Sequence, residues 1–575
     1  MKRYWKYIRP YIQYYILGPC FMMMEVVGDV LLPYMLAKII NQGIAERNVV
    51  YIIKIGAIMG FIAVIMAVGG VLGAWFASKA AMNFGADLRM DLFEKIQQFS
   101  FQNIDNFSTG SLITRLTNDI TQIQNMIMMT LRMCLRSPGI LIGAMVMAFV
   151  ISPKLAAIFI IVLPVLAVLI VVIMRRAFPQ FRTLQEKLDA LNSCIQEGLV
   201  GIRLIKSFVR GDYEEMRFEK RNQQLKEANL TAMKTMLLYT PLMTLALNIT
   251  TVVVVWSGGN MIVAGNMQVG DLTAFTNYIV QIMSSLTMLS IAFLNWARAI
   301  ASFRRVGEVL DEKIDLTDEN AKHKDRAVCE GSVEFQNVSF RYYKNSPEWV
   351  IENISFKLEA GKTLGIIGST GSGKSTLVSM IPRLYDTDEG TVLVDGINVR
   401  DYGLKPLREG IGMVLQNNTL FSGSITENLK WGDEHADEKA VRKAAQNAQA
   451  AGFIDSFKDG YRTRLEQSGN NVSGGQKQRL CIARALLKCP KILILDDSTS
   501  AVDTETERAI REALHSEYKD MTKIIIAQRI RSVMDADEIL VLDNGKTAGF
   551  GTHEQLLADC PVYREIYDVQ NGREE

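Results

Sequence analysis

The stretch Gly368-Ser369-Thr370-Gly371-Ser372-Gly373-Lys374-Ser375 decides how the soluble part of this chain folds. It has the pattern G-x-x-x-x-G-K-S, it follows the apolar run 363–367, and a helix-like stretch begins at Thr376. A strand, a glycine-rich loop and a helix in this order bind phosphate, because backbone N–H groups curl around the anion and the helix N-terminus adds positive charge. We expect Lys374 to reach the β- and γ-phosphates of a nucleotide and Ser375 to ligate Mg²⁺.

Length and composition predict two domains of different character. The chain has 575 residues, of which 49% are hydrophobic and 22% charged, and this is too long for one ordinary core. Long apolar runs lie before about residue 310, whereas the composition after about residue 330 is typical of a soluble α/β domain. The net charge of +2 gives no clustered basic excess, so we expect no nucleic-acid partner. Seven scattered cysteines favour a reducing compartment.

Six apolar stretches predict an all-α transmembrane domain over residues 1–310. Each is long enough to cross about 30 Å of hydrocarbon, which takes roughly 20 helical residues. They lie near 13–41, 51–80, 125–152, 154–175, 235–264 and 273–300, after a basic and aromatic surface helix at 1–10. Lys and Arg concentrate in 81–124 and 175–235, which places these stretches and both termini in the cytosol.

Charged side chains within the predicted spans are expensive to bury and therefore informative. Glu25 and Asp29 lie one helical turn apart in the first span, and Arg132 and Arg136 do the same in the third. Two interpretations stay open: these groups pair with one another, or some line a central substrate cavity. The cavity would also include Asn248, Trp256, Asn295 and Trp296. The 28 methionines can line an adaptable pocket or serve only as packing bulk.

A polar linker at 311–330 leads to a predicted nucleotide-binding domain at 331–575 with two further phosphate-site motifs. Lys491-Ile492-Leu493-Ile494-Leu495-Asp496 predicts a buried strand whose terminal Asp496 holds Mg²⁺, directly or through water. Ser473-Gly474-Gly475-Gln476 precedes a helix and predicts a second phosphate-binding surface. Because neither surface can enclose a nucleotide alone, we expect two such domains to hold ATP between them.

These motifs together resemble the nucleotide-binding domain of ABC transporters, and nearly all of the chain is similar to an ABC exporter half-transporter. The resemblance implies a six-helix transmembrane domain followed by an α/β P-loop domain. It also implies that Tyr342 stacks on adenine and that Gln416 senses Mg²⁺ and the membrane domain. The segment Ser500-Ala501-Val502-Asp503 resembles the loop between two ATP sites. The turns near 104–110 and 211–216 resemble the coupling helices that dock on nucleotide domains.

Two departures from the family pattern fall on one site. The family usually places Glu after the strand-end Asp and His after the next strand, where this chain has Asp497 and Gln528. Asp is one methylene shorter than Glu, and Gln carries no positive charge. With Gln416, these residues are our candidates for the catalytic positions. The pattern resembles the degenerate-site subunit of bacterial heterodimeric multidrug exporters, and the rival interpretation is a homodimer in which Asp497 suffices.

The leading functional hypothesis is ATP-driven export of small amphipathic molecules across a bacterial cytoplasmic membrane, with membrane lipid around the spans and a second half-transporter chain as partner. Lipid, peptide and haem remain alternative cargoes. A non-transport ABC ATPase conflicts with the six fused spans. An ATP-gated channel would tolerate slow hydrolysis, but the intramembrane charges form no repeated ring.

Overall fold

The computed structural model describes residues 2–344, 346–498 and 501–571, with the side chains of Lys2, Asn571 and several residues of 290–298 outside the description. The chain divides into two compact units. The first combines Met1–Gln97 with Gly110–Asp311, and the second combines Gln98–Thr109 with Glu312–Glu575. The described elements of the first are helical, and those of the second include three β-sheets. The predicted fold class, a helical domain followed by an α/β domain, is confirmed.

The described helices up to Asp311 follow one another with short connections. They are α1 (Trp5–Ile8), α2 (Ile12–Lys38), α3 (Val49–Gln97), α4 (Phe101–Asp105), α5 (Thr109–Thr114), α6 (Ile120–Met133), α7 (Arg136–Ile151), α8 (Pro153–Val200), α9 (Ile202–Ser207), α10 (Gly211–Leu237), α11 (Tyr239–Val263) and α12 (Val269–Asp311). π-helical turns at Ile39–Ile44 and Arg115–Asp119 extend α2 and join α5 to α6.

Five helical stretches of the described chain are long and apolar enough to cross a membrane. They are Trp5–Ile44, Val49–Gln97, Thr109–Ile151, Pro153–Val200 and Gly211–Val263. The sixth predicted span, near 273–300, lies inside α12, which the same criterion of length and hydropathy does not select among the described residues. The number of six spans therefore stays a prediction.

Two of the helices are much longer than a membrane crossing requires. α3 has 49 residues and α8 has 48. At 1.5 Å per residue each is about 70 Å long, more than twice the hydrocarbon thickness of about 30 Å. Each helix therefore extends well outside the bilayer, as the helical pattern of the sequence between the apolar stretches predicts.

The third predicted span contains a two-residue turn. α6 ends at Met133 and α7 begins at Arg136, with Cys134 and Leu135 between them in a turn. Cys134 and Leu135 both keep right-handed helical backbone angles, so Arg132 and Arg136 stay about one helical turn apart across this turn. The two arginines lie on either side of an interruption, and only Arg136 contacts the carboxylates of α2.

The second unit contains twelve described strands. They are β1 (Val333–Phe340), β2 (Ile351–Leu358), β3 (Thr363–Gly368), β4 (Glu389–Val394), β5 (Ile397–Asn398), β6 (Ile411–Val414), β7 (Gly423–Ser424), β8 (Arg464–Leu465), β9 (Ile492–Asp496), β10 (Thr522–Ile526), β11 (Glu538–Asp543) and β12 (Lys546–Gly551). The main sheet has the order β12-β11-β3-β10-β9-β6, and an antiparallel sheet has the order β2-β1-β4-β5.

Nine described helices surround these sheets. They are α13 (Lys374–Ser379), α14 (Leu404–Glu409), α15 (Ile425–Leu429), α16 (Glu438–Asn447), α17 (Ala451–Ser456), α18 (Gly474–Leu487), α19 (Thr504–Glu517), α20 (His553–Asp559) and α21 (Pro561–Asn571). The apolar run of β9 is buried along its whole length, as in a strand covered on both faces of a parallel sheet.

The parallel register of the main sheet gathers the nucleotide motifs at one edge. β10 pairs in parallel with both β3 and β9, so Ile526 lies beside Ile366 and beside Asp496. The loops that leave the carboxyl ends of these three strands therefore meet at the same place, which is where ligands bind in open α/β sheets.

Candidate nucleotide site

The glycine-rich loop between β3 and α13 depends on backbone angles that favour glycine. Gly371 and Gly373 have φ angles of +86° and +90°. A Cβ atom on Gly373 would lie 2.6 Å from Ile351 Cγ2, whereas one on Gly371 would meet nothing within 4 Å. Gly373 therefore satisfies both a conformational and a packing requirement, and Gly371 only the first.

Lys374 directs its ammonium group back over this loop. Its Nζ atom donates to the carbonyl oxygens of Gly368 at 2.8 Å and Ser369 at 2.7 Å. Burial lowers the pKa of Lys374, and the nearby carboxylates of Asp497 and Asp496 oppose that shift. The amine is thus held beside the loop that would enclose a phosphate.

The P-loop helix is joined to the end of β9 by one hydrogen bond. Ser375 Oγ donates to Asp496 Oδ1 at 2.9 Å. Burial raises the pKa of Asp496, and the bond from Ser375 opposes the shift. Among the described residues no group of three or more His, Cys, Asp or Glu forms a metal cage. A hydroxyl and one carboxylate nevertheless suit Mg²⁺, which commonly takes one or two protein oxygens and completes its shell with phosphate and water.

The two departures from the family pattern contact each other. Gln528 Nε2 donates to Asp497 Oδ2 at 2.9 Å, and the Asp497 amide donates to the Ile526 carbonyl at 3.1 Å. Asp497 has a φ angle of +46°, a conformation that Asp and Asn tolerate better than most residues. Burial raises the pKa of Asp497, and hydrogen bonds from Gln528 and Gln416 are among the effects that lower it.

A cavity of about 300 Å³ lies at this edge of the sheet and is called here the P-loop cavity. Its lining residues are Tyr342, Val350, Thr370, Gly371, Gly373, Lys374, Ser375, Thr376, Gln416, Asp496, Asp497, Ile526 and Gln528. The sequence predicted all of them except Val350 and Ile526. The hydroxyl of Tyr342 forms a hydrogen bond of 2.9 Å with Thr376 Oγ1. No Glu or His is among these lining residues.

The Ser-Gly-Gly turn, residues 473–475, begins a helix as predicted but does not line the P-loop cavity. Ser473 caps α18, and Ser473 and Gln476 bond reciprocally through side chain and backbone. A Cβ atom on Gly475 would lie 2.8 Å from the Ala501 carbonyl oxygen, so the turn packs closely on the loop before α19. Asp503 caps α19 by accepting from the Thr506 amide at 2.9 Å. Ser500 lies outside the described residues.

The segment Gln98–Thr109 packs with the second unit through contacts that the sequence did not indicate. The Tyr385 hydroxyl donates to Asp105 Oδ2 at 2.8 Å, and the Tyr385 ring lies 5.9 Å from that of Phe101. Tyr385 also packs edge-on against Tyr342, with ring centroids 5.3 Å apart. No spacing or motif marks Tyr385 as a contact of this segment.

The other predicted coupling turn, near 211–216, is helical, because α10 begins at Gly211. The chain reverses instead at residues 208–210, between α9 and α10. The predicted turn is therefore displaced by a few residues from the observed one.

The structure does not bring the predicted substrate-cavity residues together as one set. Asn248 and Trp256 lie on α11 with exposed side chains, Trp256 at 73%. Trp296 donates its indole N–H to Thr130 Oγ1 at 2.9 Å. The side chain of Asn295 lies outside the described residues. Glu25 and Asp29 both contact Arg136, as the pairing interpretation predicts, and Glu25 also lines a cavity with Arg132 and Arg136.

Comparison with known proteins assigns both halves of the chain to one family. Residues 15–286 match the ABC transporter transmembrane region and residues 351–500 match the ABC transporter domain. The Bacillus subtilis (strain 168) ABC transporter ATP-binding protein YfiB is 39% identical over 574 residues, which cover 100% of this chain and 99% of the relative. The putative multidrug export ATP-binding/permease protein YgaD of the same organism is 34% identical, and the alignment covers 99% of each chain.

A solved structure has the same fold over nearly its whole length. It is a bacterial Atm1-family ABC exporter with ATP bound, with a TM-score of 0.81, 24% sequence identity and coverage of 98% of each chain. The chain belongs to the ABC transporters: it is a multi-pass membrane half-transporter that joins one transmembrane region to one ATP-binding ABC domain.

Proposed function

We propose that this half-transporter exports small amphipathic molecules as one subunit of a heterodimer in which its own P-loop site hydrolyses ATP slowly. The observation that carries the proposal is the pair formed by Asp497 and Gln528, whose side chains bond at 2.9 Å inside the P-loop cavity. The position that would orient and deprotonate the attacking water is thus held by a short carboxylate bonded to a neutral amide.

The chemistry of that pair accounts for slow hydrolysis. Asp497 reaches less far than Glu from the same backbone position, so its carboxylate would stand back from the γ-phosphate of bound ATP. Losing a positioned general base typically costs about 10²–10⁴-fold in rate. Gln528 can donate a hydrogen bond to a phosphate oxygen but supplies no positive charge.

The binding apparatus of the same site is complete. Bound ATP would supply the phosphoanhydride bond that is cleaved, and Mg²⁺ would neutralise part of the negative charge on its phosphate oxygens. We assign the backbone of residues 368–376 to the phosphates, Lys374 to the β- and γ-oxygens, and Tyr342 to the adenine ring. Ser375, Asp496 and Gln416 supply oxygen ligands suited to Mg²⁺. The chain therefore retains nucleotide while hydrolysing it slowly.

The intact Ser-Gly-Gly turn supports a heterodimer. It lies at a helix N-terminus, a position that favours an anion, yet it is not part of this chain's own cavity. We assign Ser473, Gly474, Gly475 and Gln476 to the phosphates of a site on the partner chain, with Asp503 between the two sites. ATP bound to the P-loop of a partner with a complete catalytic pair would then contact this turn through its phosphates and be hydrolysed there.

Less specific observations support the class of cargo and the membrane across which it is exported. The name of YgaD refers to multidrug export, and apolar helices suit cargo that partitions into lipid. The Lys and Arg bias predicts cytosolic termini, and the relatives compared are bacterial, which suggests the cytoplasmic membrane. Homodimeric export of lipid, peptide or haem is the alternative.

Restoring the family residues tests the degenerate site. We expect Asp497→Glu with Gln528→His to raise the ATPase rate of this chain's own site by about 10²-fold or more, up to the 10⁴-fold that a general base contributes. The rate would be measured in lipid bilayers, with Lys374→Ala in the same background to report activity that does not use this P-loop.

Each single substitution serves as a matched control. Asp497→Glu alone restores the general base but leaves the neutral Gln528. Gln528→His alone restores the imidazole but leaves the short carboxylate. The ATPase rate of each single variant should therefore be lower than that of the double variant. If the unaltered chain already hydrolyses ATP as fast as the double variant, the degenerate-site proposal is wrong.

A further inference from the structure

The charge cluster between α2 and the third span leaves one arginine without a carboxylate. Arg136 Nη2 donates to Glu25 Oε1 at 2.8 Å and lies 3.4 Å from Asp29 Oδ2. Arg132 forms no ion pair with any described residue. The two arginines therefore have different roles: Arg136 holds the carboxylates of α2, whereas Arg132 is available to another anion.

A cavity of about 430 Å³ opens beside this cluster within the first unit. Arg132, Arg136 and Glu25 line it together with the thioethers of Met22, Met66 and Met133. Gly70 lies behind Glu25, where a Cβ atom would be 3.4 Å from the carboxylate. Asp29 does not line the cavity. We call this space the methionine cavity.

A second depression of about 310 Å³ continues along α6. It shares Arg132 and Met133 with the methionine cavity and adds Met126 and Met129. Arg132 is thus the charged group common to two adjoining, sulfur-rich spaces. Flexible and polarisable methionine side chains adapt to apolar bodies of different shape.

We propose that the methionine cavity binds an amphipathic anion, with its carboxylate, sulfonate or phosphate group on Arg132 and its apolar body against the methionines. A guanidinium offers a planar fork that suits such groups, and Arg132 is exposed where it lines the cavity. Glu25 neutralises Arg136 through their ion pair, and its carboxylate would repel an anion that approached Arg136. This inference rests on the proposed export function and names the charge class of its cargo.

Three dansyl probes of similar size test the charge preference on the full chain in lipid nanodiscs. They are dansylglycine (anionic), dansylamide (neutral) and dansylcadaverine (cationic), and empty nanodiscs report partition into lipid. We expect dansylglycine to bind most tightly. Arg132→Gln should weaken it by about tenfold, which corresponds to about 1.4 kcal/mol, and should leave dansylamide unchanged. Arg176→Gln, on α8 outside the cavity, is the charge-matched control and should change neither.

Glu25→Gln gives the opposite expectation and keeps the test sharp if Arg132→Gln does not fold. Removing this carboxylate frees Arg136, so dansylglycine should bind several-fold more tightly. Preference for dansylcadaverine, weaker dansylglycine binding in Glu25→Gln, or equal effects of Arg132→Gln and Arg176→Gln would each overturn the inference. The melting temperature of each variant in the nanodisc reports its folding.

The two proposals fail in distinguishable ways. Loss of charge selectivity in probe binding, with export by the assembled transporter retained, contradicts the anion site alone. Selective dansylglycine binding by a chain that neither exports nor requires a partner contradicts the proposed function and leaves the anion site standing.

Discussion

At the scale of single residues, Ser375 joins the P-loop helix to the carboxylate of Asp496 through a bond of 2.9 Å. We predict that Ser375→Ala removes one Mg²⁺ ligand and the orientation of another. Mg²⁺-dependent ATP affinity should fall roughly tenfold, the usual scale for a lost bond to a charged group, and affinity without Mg²⁺ should change little. A titration of ATP with and without Mg²⁺ measures both values.

Ser379 in the same helix is the matched control. Its hydroxyl donates to the Ser375 carbonyl oxygen, at 2.6 Å, within the helix. Ser379→Ala should therefore leave the Mg²⁺ effect intact. Equal losses in both variants would show that the helix, not the metal ligand, is responsible.

Sequence reasoning at this scale located the residues but not their bonds. Asp497 and Gln528 were recognisable because they replace Glu and His in a known pattern. Their mutual bond and the left-handed backbone of Asp497 depend on where β9 and β10 end in space, which no local pattern encodes. Tyr385 went unnoticed for the same reason, since its partner Asp105 is 280 residues away in sequence.

At the scale of elements, the two loop glycines separate backbone strain from packing. Gly371→Ala and Gly373→Ala both force a side chain into a left-handed conformation, at a cost of about 1–2 kcal/mol. Only Gly373→Ala also brings Cβ to 2.6 Å from Ile351. We predict a larger fall in the melting temperature of the nucleotide-binding domain for Gly373→Ala. Equal falls would contradict the packing role.

The segment Gln98–Thr109 gives a second prediction for an element. Tyr385→Phe removes the hydrogen bond to Asp105 and keeps the ring contacts with Phe101 and Tyr342. A bond worth about 1 kcal/mol corresponds to roughly a fivefold effect. We expect cargo stimulation of the transporter's ATPase to fall by about that factor while the basal rate is retained.

Tyr343→Phe is the matched control for this prediction. Tyr343 follows Tyr342 directly and is 74% exposed, so its hydroxyl meets solvent. The Tyr343→Phe variant should show the same cargo stimulation of ATPase activity as the unaltered protein. If Tyr385→Phe and Tyr343→Phe behave alike, the bond to Asp105 plays no part in coupling.

Apolar runs and turn signals predicted most elements, but not how they end. The helix after Ser473 and the strand before Asp497 follow from a cap and from an apolar run. The turn at Cys134 and Leu135 precedes Pro138, which has no N–H for the Cys134 carbonyl and whose ring crowds that carbonyl, so the sequence did contain a signal for this interruption.

At the scale of the whole molecule, composition and motif order were sufficient for the fold class and the family. The change from apolar to mixed sequence near residue 310 coincides closely with the end of α12 at Asp311. The assignment of Gln98–Thr109 to the second unit was not predictable in the same way, because it depends on tertiary contacts. Cargo preference likewise depends on side chains that the fold brings together.

The central claim is that this chain contributes a slow site and an intact Ser-Gly-Gly turn to a heterodimer. The most direct test is the ATPase rate in lipid of this chain alone and of its complex with a second half-transporter that carries the catalytic Glu. We predict that activity requires the partner, collapses when the partner's Glu is changed to Gln, and barely changes with Asp497→Asn. Brisk hydrolysis by this chain alone, abolished by Asp497→Asn, would contradict the claim and show a self-sufficient homodimer.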